Sequence, residues 1–345
     1  MLIDRREARV EGPRVPAIGD RGCHHPARRC RGAGNGLAPV RPPRHTGRVV
    51  RELVVLGTAS QVPTRTRNHN GYLLRWDRDA YLFDPGEGTQ RQLTLAGVAP
   101  PSITRICLTH VHGDHSNGLP GVLSRMVLDR VEHPVHLHYP AEGEAVVRAL
   151  VGLATPGLDL RLHPHGAAGD VAEGVSVEPL RHRVQTFGYR VAEPDGRTLL
   201  PDRLAAAGIT GPAVGELQRA GRIGAVRLAD VSVPRRGQRV AVVMDTAPCP
   251  GADALAQGAD LLLAECTFAD EDAELAAEYR HLTAGQAGAL AARAGARTLV
   301  LSHFSGRYED LGPLGEQARA AAGSAAVHVA HDLDRFGLPR RRATA

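Results

Sequence analysis

Ile106-Cys107-Leu108-Thr109-His110-Val111-His112-Gly113-Asp114-His115 decides the reading of this chain. A short apolar run with the character of a strand is followed at once by three imidazoles and a carboxylate. A lone His-x-His would say little in a chain with 17 histidines. His-x-His-x-Asp-His at the end of a strand says much more, because it packs metal-ligand types into one turn. Imidazole and carboxylate suit Zn²⁺, and residues from elsewhere can complete the site while leaving a position for water. Gly113 is expected to let the backbone turn tightly so that the flanking side chains converge.

Outward from this turn, further residues of the same types recur in order. Asp84-Pro85-Gly86-Glu87-Gly88-Thr89-Gln90 precedes it. His182 stands six residues before Gly188-Tyr189, Asp245 ends the run Val240-Ala241-Val242-Val243-Met244, and His303 ends Leu299-Val300-Leu301-Ser302. Taken singly, each is a core histidine or a capping aspartate, and for His182 that plainer reading wins. Together they point to one site, because Asp245 and His303 end apolar runs, where a sheet delivers side chains to one rim.

These motifs resemble those of the metallo-β-lactamase superfamily and, within it, the ribonuclease Z family, over nearly all of residues 51–335. Pro63-Thr64-Arg65-Thr66-Arg67-Asn68 is similar to the family's Pro-x-Lys-x-Arg-Asn loop, His281-Leu282-Thr283 to its His-Ser-Thr, and His303-Phe304-Ser305-Gly306-Arg307-Tyr308 to its His-x-Ser-x-Arg-Tyr. Ala264-Glu265-Cys266-Thr267 departs from the family's His-Glu-Ala-Thr by losing the His. That motif bears on the cut position relative to the terminal CCA, which is left open. The resemblance implies an α/β fold, the αββα sandwich, with an inserted flexible arm. It implies two Zn²⁺ per chain, one held by His110, His112 and His182, the other by Asp114, His115 and His303, with Asp245 bridging. It implies Asp114 as general base, His281 as acid or phosphate clamp, and Glu265 as the residue orienting His281. Arg65, Arg67, Asn68, Ser305 and Arg307 are expected to touch substrate. Gly211-Pro212 resembles the Gly-Pro motif of the arm that grips the tRNA elbow. The implied activity is a zinc-dependent endoribonuclease that cuts tRNA precursors on the 3′ side and leaves a 3′-hydroxyl, working in the cytoplasm as a homodimer. Two alternatives stay open. A phosphodiesterase of the same fold acting on small or cyclic phosphodiesters would keep the ligands and lack the arm. A non-catalytic RNA-binding relative would have lost ligands, and here the set is complete.

Composition frames this reading. The 345 residues suffice for one large α/β domain, and 43% are hydrophobic but only 3% aromatic, so a core of Val, Leu, Ala and Ile is expected. All 42 basic residues are Arg, so Arg65 in place of the family's Lys reflects a chain-wide preference that keeps the charge and favours bidentate phosphate contact. Residues 1–50 hold eleven Arg against Asp4, Glu7, Glu11 and Asp20, a net of +7 in a chain of +5, which leaves 51–345 at −2. Nucleic-acid binding must therefore come from local clusters such as Arg65/Arg67 or Arg181/Arg183. The first fifty residues lack hydrophobic periodicity and read as a disordered tail. A start assigned too early, with Val49 or Val50 as the true one, explains them better than an RNA-binding arm. Cys23 and Cys30 beside His24 and His25 read as accidental rather than as a metal knuckle. No secretory h-region or membrane-length apolar run occurs, and five scattered cysteines give no disulfide framework.

Periodicity predicts strands at 52–56, 71–75, 80–84, 105–109, 135–139, 175–181, 187–192, 239–244, 260–265, 297–302 and 326–330. Helices are expected near 88–96, 116–129, 141–151, 213–220, 271–279, 284–294 and 312–322. The early strands are expected to pair as hairpins and the later ones to alternate with helices. Residues 193–236, rich in Gly, Pro and Arg, interrupt the body as the candidate arm, or as an ordinary surface excursion.

Overall fold

Arg51 opens the part of the chain that the computed structural model describes, residues 51–154 and 156–339. The expectations for residues 1–50, including the two cysteines, lie outside it. Strands β1 (Glu52–Gly57), β2 (Gly71–Trp76) and β3 (Asp79–Phe83) form an antiparallel meander. After helix α1 (Thr89–Leu95) come β4 (Arg105–Cys107), α2 (Gly113–Ser116), α3 (Leu119–Leu128), β5 (Val135–Pro140), α4 (Glu144–Gly152) and β6 (Leu160–His165). The strands β3 to β6 run parallel. A second meander, β7 (Gly169–Ala172), β8 (Val175–Leu180) and β9 (Thr186–Ala192), then starts another sheet.

An insertion follows β9: β10 (Gly196–Leu199), α5 (Pro201–Ala206), α6 (Pro212–Ala220), β11 (Arg222–Ile223), β12 (Val226–Arg227) and β13 (Ser232–Arg235). The second sheet resumes with β14 (Arg239–Val243), α7 (Pro250–Ala256), β15 (Leu261–Glu265), α8 (Ala273–Tyr279), α9 (Ala284–Ala294), β16 (Thr298–Ser302), α10 (Gly312–Ala321) and β17 (Ala326–Val329), its last four strands parallel. β18 (Arg335–Gly337) returns to pair with β1. Two seven-stranded mixed sheets result. Hairpins and strand–helix alternation thus occur in both halves, not early and late respectively.

Apolar residues sort into three layers. Tyr72, Tyr81, Phe83, Phe187, Val242 and Leu263 fill the space between the sheets. Leu93, Leu119, Val122 and Val147 lie between the first sheet and its helices, and Leu262, Leu290, Leu299 and Leu314 between the second sheet and its own. This is the αββα sandwich. The core is less uniformly aliphatic than expected: six of the twelve aromatic side chains gather between the sheets. The outer layer over the second sheet is rich in alanine, and a Cβ on Gly288 would come within 2.3 Å of the Ala318 carbonyl, which fixes the close approach of α9 to α10.

The helix expected over 116–129 is α3, which starts at Leu119, and the short α2 before it shares only Ser116 with that span. Gly118, at the start of α3, has to be glycine because a Cβ there would lie 2.0 Å from the Gly86 carbonyl in the loop after β3. β6, β7, β18, α5 and α7 were not expected. β6 is an edge strand carrying Arg161 and Pro164, tolerated there but breaking the pattern. α7 opens Pro250-Gly251, which reads as a turn although Pro is at home in a first helical turn.

The insertion closes on its own small core of Leu204, Ile209, Leu217 and Val231. Its stem is the antiparallel pair β10–β13, in register from Gly196↔Arg235 to Leu199↔Ser232. It is a folded protrusion rather than a loop.

Candidate metal centre

The parallel strands deliver the predicted side chains to one rim of the sandwich. His110, His112, Asp114 and His115 follow β4, Asp245 follows β14, and His303 follows β16. Asp84 after β3, Asp245 and His303 hold φ of 44°, 20° and 60°, a conformation that costs non-glycine residues about 1–3 kcal/mol and clusters at functional sites. Gly113 has no such φ. It is the first residue of α2, and the atoms nearest a Cβ there would be those of the Asn117 side chain, so the tight turn is not its contribution. Gly86 matters more: a Cβ would lie 2.2 Å from the Asp114 carbonyl.

Two groups of donor atoms converge, each within 4.8 Å: His110, His112, His182 and Asp245 in one, Asp114, His115 and His303 in the other. His115 Nε2 and His303 Nε2 face each other at 3.2 Å. Asp245 Oδ1 lies 3.2 and 3.1 Å from them, and Asp114 Oδ2 lies 3.3 and 3.4 Å away. Asp245 Oδ2 is 3.7 Å from both His110 Nε2 and His182 Nε2, so its two oxygens point to different groups.

The ring protons are assigned by what stands behind them. Asp84, fully buried, accepts from the Thr109 amide and hydroxyl at 2.7 Å each and from His115 Nδ1 at 2.9 Å. Since the Thr109 proton goes to Asp84, its oxygen is left to accept from His110 Nδ1 at 3.1 Å. His182 Nδ1 donates to the Arg280 carbonyl at 3.2 Å. The Thr267 hydroxyl donates to Glu265 at 2.6 Å, so it accepts from His303 Nδ1 at 2.8 Å. Four imidazoles therefore turn bare Nε2 lone pairs inward, onto carboxylate oxygens that can only accept. Asp245 Oδ1 is buried and has no hydrogen-bond donor. Lone pairs facing lone pairs are the signature of cation sites, and the donor set fits zinc.

Burial opposes charge on His115, Asp114 and Asp245 alike, yet Asp245, Asp114 and Asp84 raise the His115 pKa well above the usual imidazole range and the two carboxyls are held well below theirs, so these groups demand positive charge between them, which a cation supplies in place of a proton on Nε2. Burial and His115 hold His110 neutral. His281 lies beside these two groups and, with Asp245 and His303, makes a third set of donors close enough to hold an ion. Its Nδ1 bonds Glu265 at 3.1 Å and its Nε2 lies 3.9 Å from Asp245 Oδ2. Burial alone would lower its pKa, yet Glu265 and Asp245 raise it to about 9. Glu265, fully buried, is fixed by the Thr246 amide at 2.6 Å.

The remaining predicted residues divide. A cleft of about 990 Å³ opens over the site and is lined by Arg65, Ser305 and Arg307 among others. Arg67 and Asn68 turn away from it. The Arg67 guanidinium donates to the Ser305 and Tyr308 carbonyls, and the Asn68 amide to those of His69 and Glu87. Gly211 and Pro212 sit in the insertion, where Gly211 has φ 54° and precedes α6, and neither lines the cleft. Sequence reading gave no role to Arg280. Its carbonyl holds His182 from a left-handed helix cap, and a backbone carbonyl leaves no trace in sequence.

Residues 64–199 match the model of the metallo-beta-lactamase superfamily. The ribonuclease Z of Streptomyces coelicolor is 55% identical over 299 residues, 85% of this chain and 99% of that protein. The ribonuclease Z of Nocardia farcinica is 56% identical over 306 residues, with the same coverage. Among solved structures, human tRNase Z, short form, aligns with a TM-score of 0.59 at 24% identity, over 84% of this chain and all of that one. A diphosphatase of the PhnP family aligns at 0.56 and 18% identity, over 84% of this chain and 98% of that one, so the fold alone does not choose a substrate.

Proposed function

The chain belongs to the ribonuclease Z family of metallo-β-lactamase-fold hydrolases, and from that premise we propose that it cuts tRNA precursors at a site of two zinc ions. The observation carrying this reading is the pair of opposed Nε2 atoms of His115 and His303, ringed by the Asp114 and Asp245 carboxylates, at the floor of an open cleft. His110, His112 and His182 would hold one ion, Asp114, His115 and His303 the other, and Asp245 would bridge. Bound there, the ions would supply Lewis acidity, acidifying a water and neutralising charge on the phosphoryl group.

The chain's own groups do the rest. Asp114, held ionised and open to the cleft, accepts the proton of the attacking water. Water adds to phosphorus in line, the P–O3′ bond breaks, and the trailer departs with the 5′-phosphate. His281, whose protonated form Glu265 favours through Nδ1, gives its Nε2 proton to the leaving 3′-oxygen, so the tRNA ends in a 3′-hydroxyl. Arg65, exposed and without an ion-pair partner among the described residues, together with Arg307 and Ser305, holds flanking phosphates. Arg67 and Asn68 serve that rim indirectly, by fixing its backbone. Incubation with precursors that carry or lack CCA tests the activity and reads the cut position together.

Asp84 is the first check on the metal reading. Asp84→Asn keeps the shape but can present an amide proton to His115 Nδ1, removing the acceptor that sets the ring's tautomer. Zinc affinity should fall roughly 10- to 100-fold. Unchanged affinity by competition with a chromogenic chelator would refute the tautomer assignment.

The insertion separates a tRNA enzyme from a small-phosphodiester one. Because Leu199 and Ser232 are paired across the stem, residues 200–231 can be replaced by Asn-Gly as a two-residue hairpin turn, removing the small core whole. Precursor cleavage should drop at least ~10-fold, chiefly in KM, as expected for a contact distant from the chemistry. Hydrolysis of a small chromogenic phosphodiester should persist. Equal loss on both substrates would remove the arm from tRNA binding.

A homodimer is part of the same proposal. Leu95, Leu128, Val146 and Leu153 are 42–73% exposed on or just beyond the helices covering the first sheet, and covering such side chains with a second copy would be favourable. No helix among the described residues is long and apolar enough to cross a membrane. Cys107, Cys249 and Cys266 are unpaired, which suits a reducing cytoplasm.

A further inference from the structure

One wall of the cleft has no metal, acid or base role. Tyr279 ends α8 and, at 39% exposure, is the most exposed aromatic side chain among the described residues. Its ring lies nearly parallel to that of Phe268, with centroids 6.3 Å apart and planes 20° apart. The Arg183 guanidinium sits 4.5 Å from the Tyr279 centroid and is tethered by a 3.3 Å bond to the Glu278 carbonyl. All three residues line the cleft. In a chain with only twelve aromatic residues, most of them buried, an exposed tyrosine braced by a ring and a guanidinium is a poor use of apolar surface unless something flat covers it.

The surface suits an unpaired nucleobase. Bases stack on aromatic rings and on guanidinium planes without needing a particular sequence. The side of the cut follows from the acid. Tyr279 precedes His281 by two residues, and the Phe268 ring lies 6.0 Å from the His281 ring. His281 faces the leaving 3′-oxygen, which belongs to the nucleotide that stays on the tRNA. We propose that Tyr279 and Arg183 hold the base of the last nucleotide of the tRNA product, positioning its 3′-oxygen against His281. This rests on the reading of the chain as a tRNA 3′ endonuclease with His281 as acid.

The test crosses variants with abasic substrates. Cleavage of an intact precursor, a precursor abasic at the last product nucleotide, and one abasic at the first trailer nucleotide is measured with wild type, Tyr279→Ala, Tyr279→Phe and Arg183→Ala. Tyr279→Ala should lower kcat/KM on the intact precursor by about 5- to 150-fold, the range for losing one stacking residue. It should change little on the product-side abasic precursor, and Tyr279→Phe should restore the intact-substrate rate. Equal losses on intact and product-side abasic precursors would overturn the inference, as would loss of the effect only on the trailer-side abasic one. Zinc content and thermal melting control for a disturbed His182–Arg280 contact. If Tyr279→Ala does not fold, Arg183→Ala carries the same comparison. A wild type that cuts no precursor would remove the functional reading and this inference with it. A wild type that cuts, with variants blind to the abasic site, removes this inference alone.

Discussion

Replacing Asp245 with alanine should abolish turnover and empty at least one of the two ion positions. Its Oδ1 lies about equally close to His115 Nε2 and His303 Nε2, and its Oδ2 reaches toward His110 and His182. No other carboxylate among the described residues spans both groups. Alanine would leave several inward-facing imidazoles with less negative charge between them, and an ion pair without a shared ligand loses its spacing. The expected result is a fall in kcat of roughly 10³-fold or more, about 4 kcal/mol of barrier, together with less than two equivalents of bound zinc. Elemental analysis of the purified variant and single-turnover cleavage read both. Two zinc ions and near-normal turnover would show that Asp245 does not bridge.

His281→Ala separates chemistry from metal. In the proposed assignment His281 is not a ligand: its Nδ1 is committed to Glu265, and its Nε2 stands 3.9 Å from Asp245. A third grouping of donors, Asp245, His281 and His303, is close enough to hold an ion, so the point needs testing. Zinc content and affinity for a precursor should stay at wild-type values while the cleavage step slows roughly 10²- to 10⁴-fold, the range for a positioned acid–base group. Loss of zinc would make His281 a ligand and the assigned set wrong. Wild-type cleavage would leave His281-Leu282-Thr283 a purely structural motif. Glu265→Gln should move in the same direction as His281→Ala, since an amide cannot hold the imidazolium charged.

Some of these residues declare themselves in the sequence and others do not. The His110–His115 turn, Asp245 and His303 were legible because a strand end is a local feature: an apolar run followed by a ligand-type residue states its own position. The family motifs contained His281, Glu265 and Thr267, but not the contact by which the Thr267 hydroxyl joins Glu265 to His303. Arg67 and Asn68 looked like substrate contacts from their loop, yet their side chains answer to backbone carbonyls elsewhere in the chain. β6 and α7 escaped notice because proline reads as a break whether it sits on an edge strand or opens a helix.

By itself the sequence determined which strand ends carry ligand-type side chains and the insertion's place between β9 and β14. These depend on residue type and short-range periodicity, which survive without a structure. Only the tertiary structure decided which nitrogen of each imidazole faces inward, because that is set by Asp84, Thr109, Thr267 and the Arg280 carbonyl behind the rings. It alone turned Arg67 inward, left Arg65 exposed at the cleft, and set Tyr279, Phe268 and Arg183 along one wall of it. The physical reason is range. His115 and His303 meet at 3.2 Å although 188 positions separate them, and no local pattern encodes a distance that two packed sheets impose.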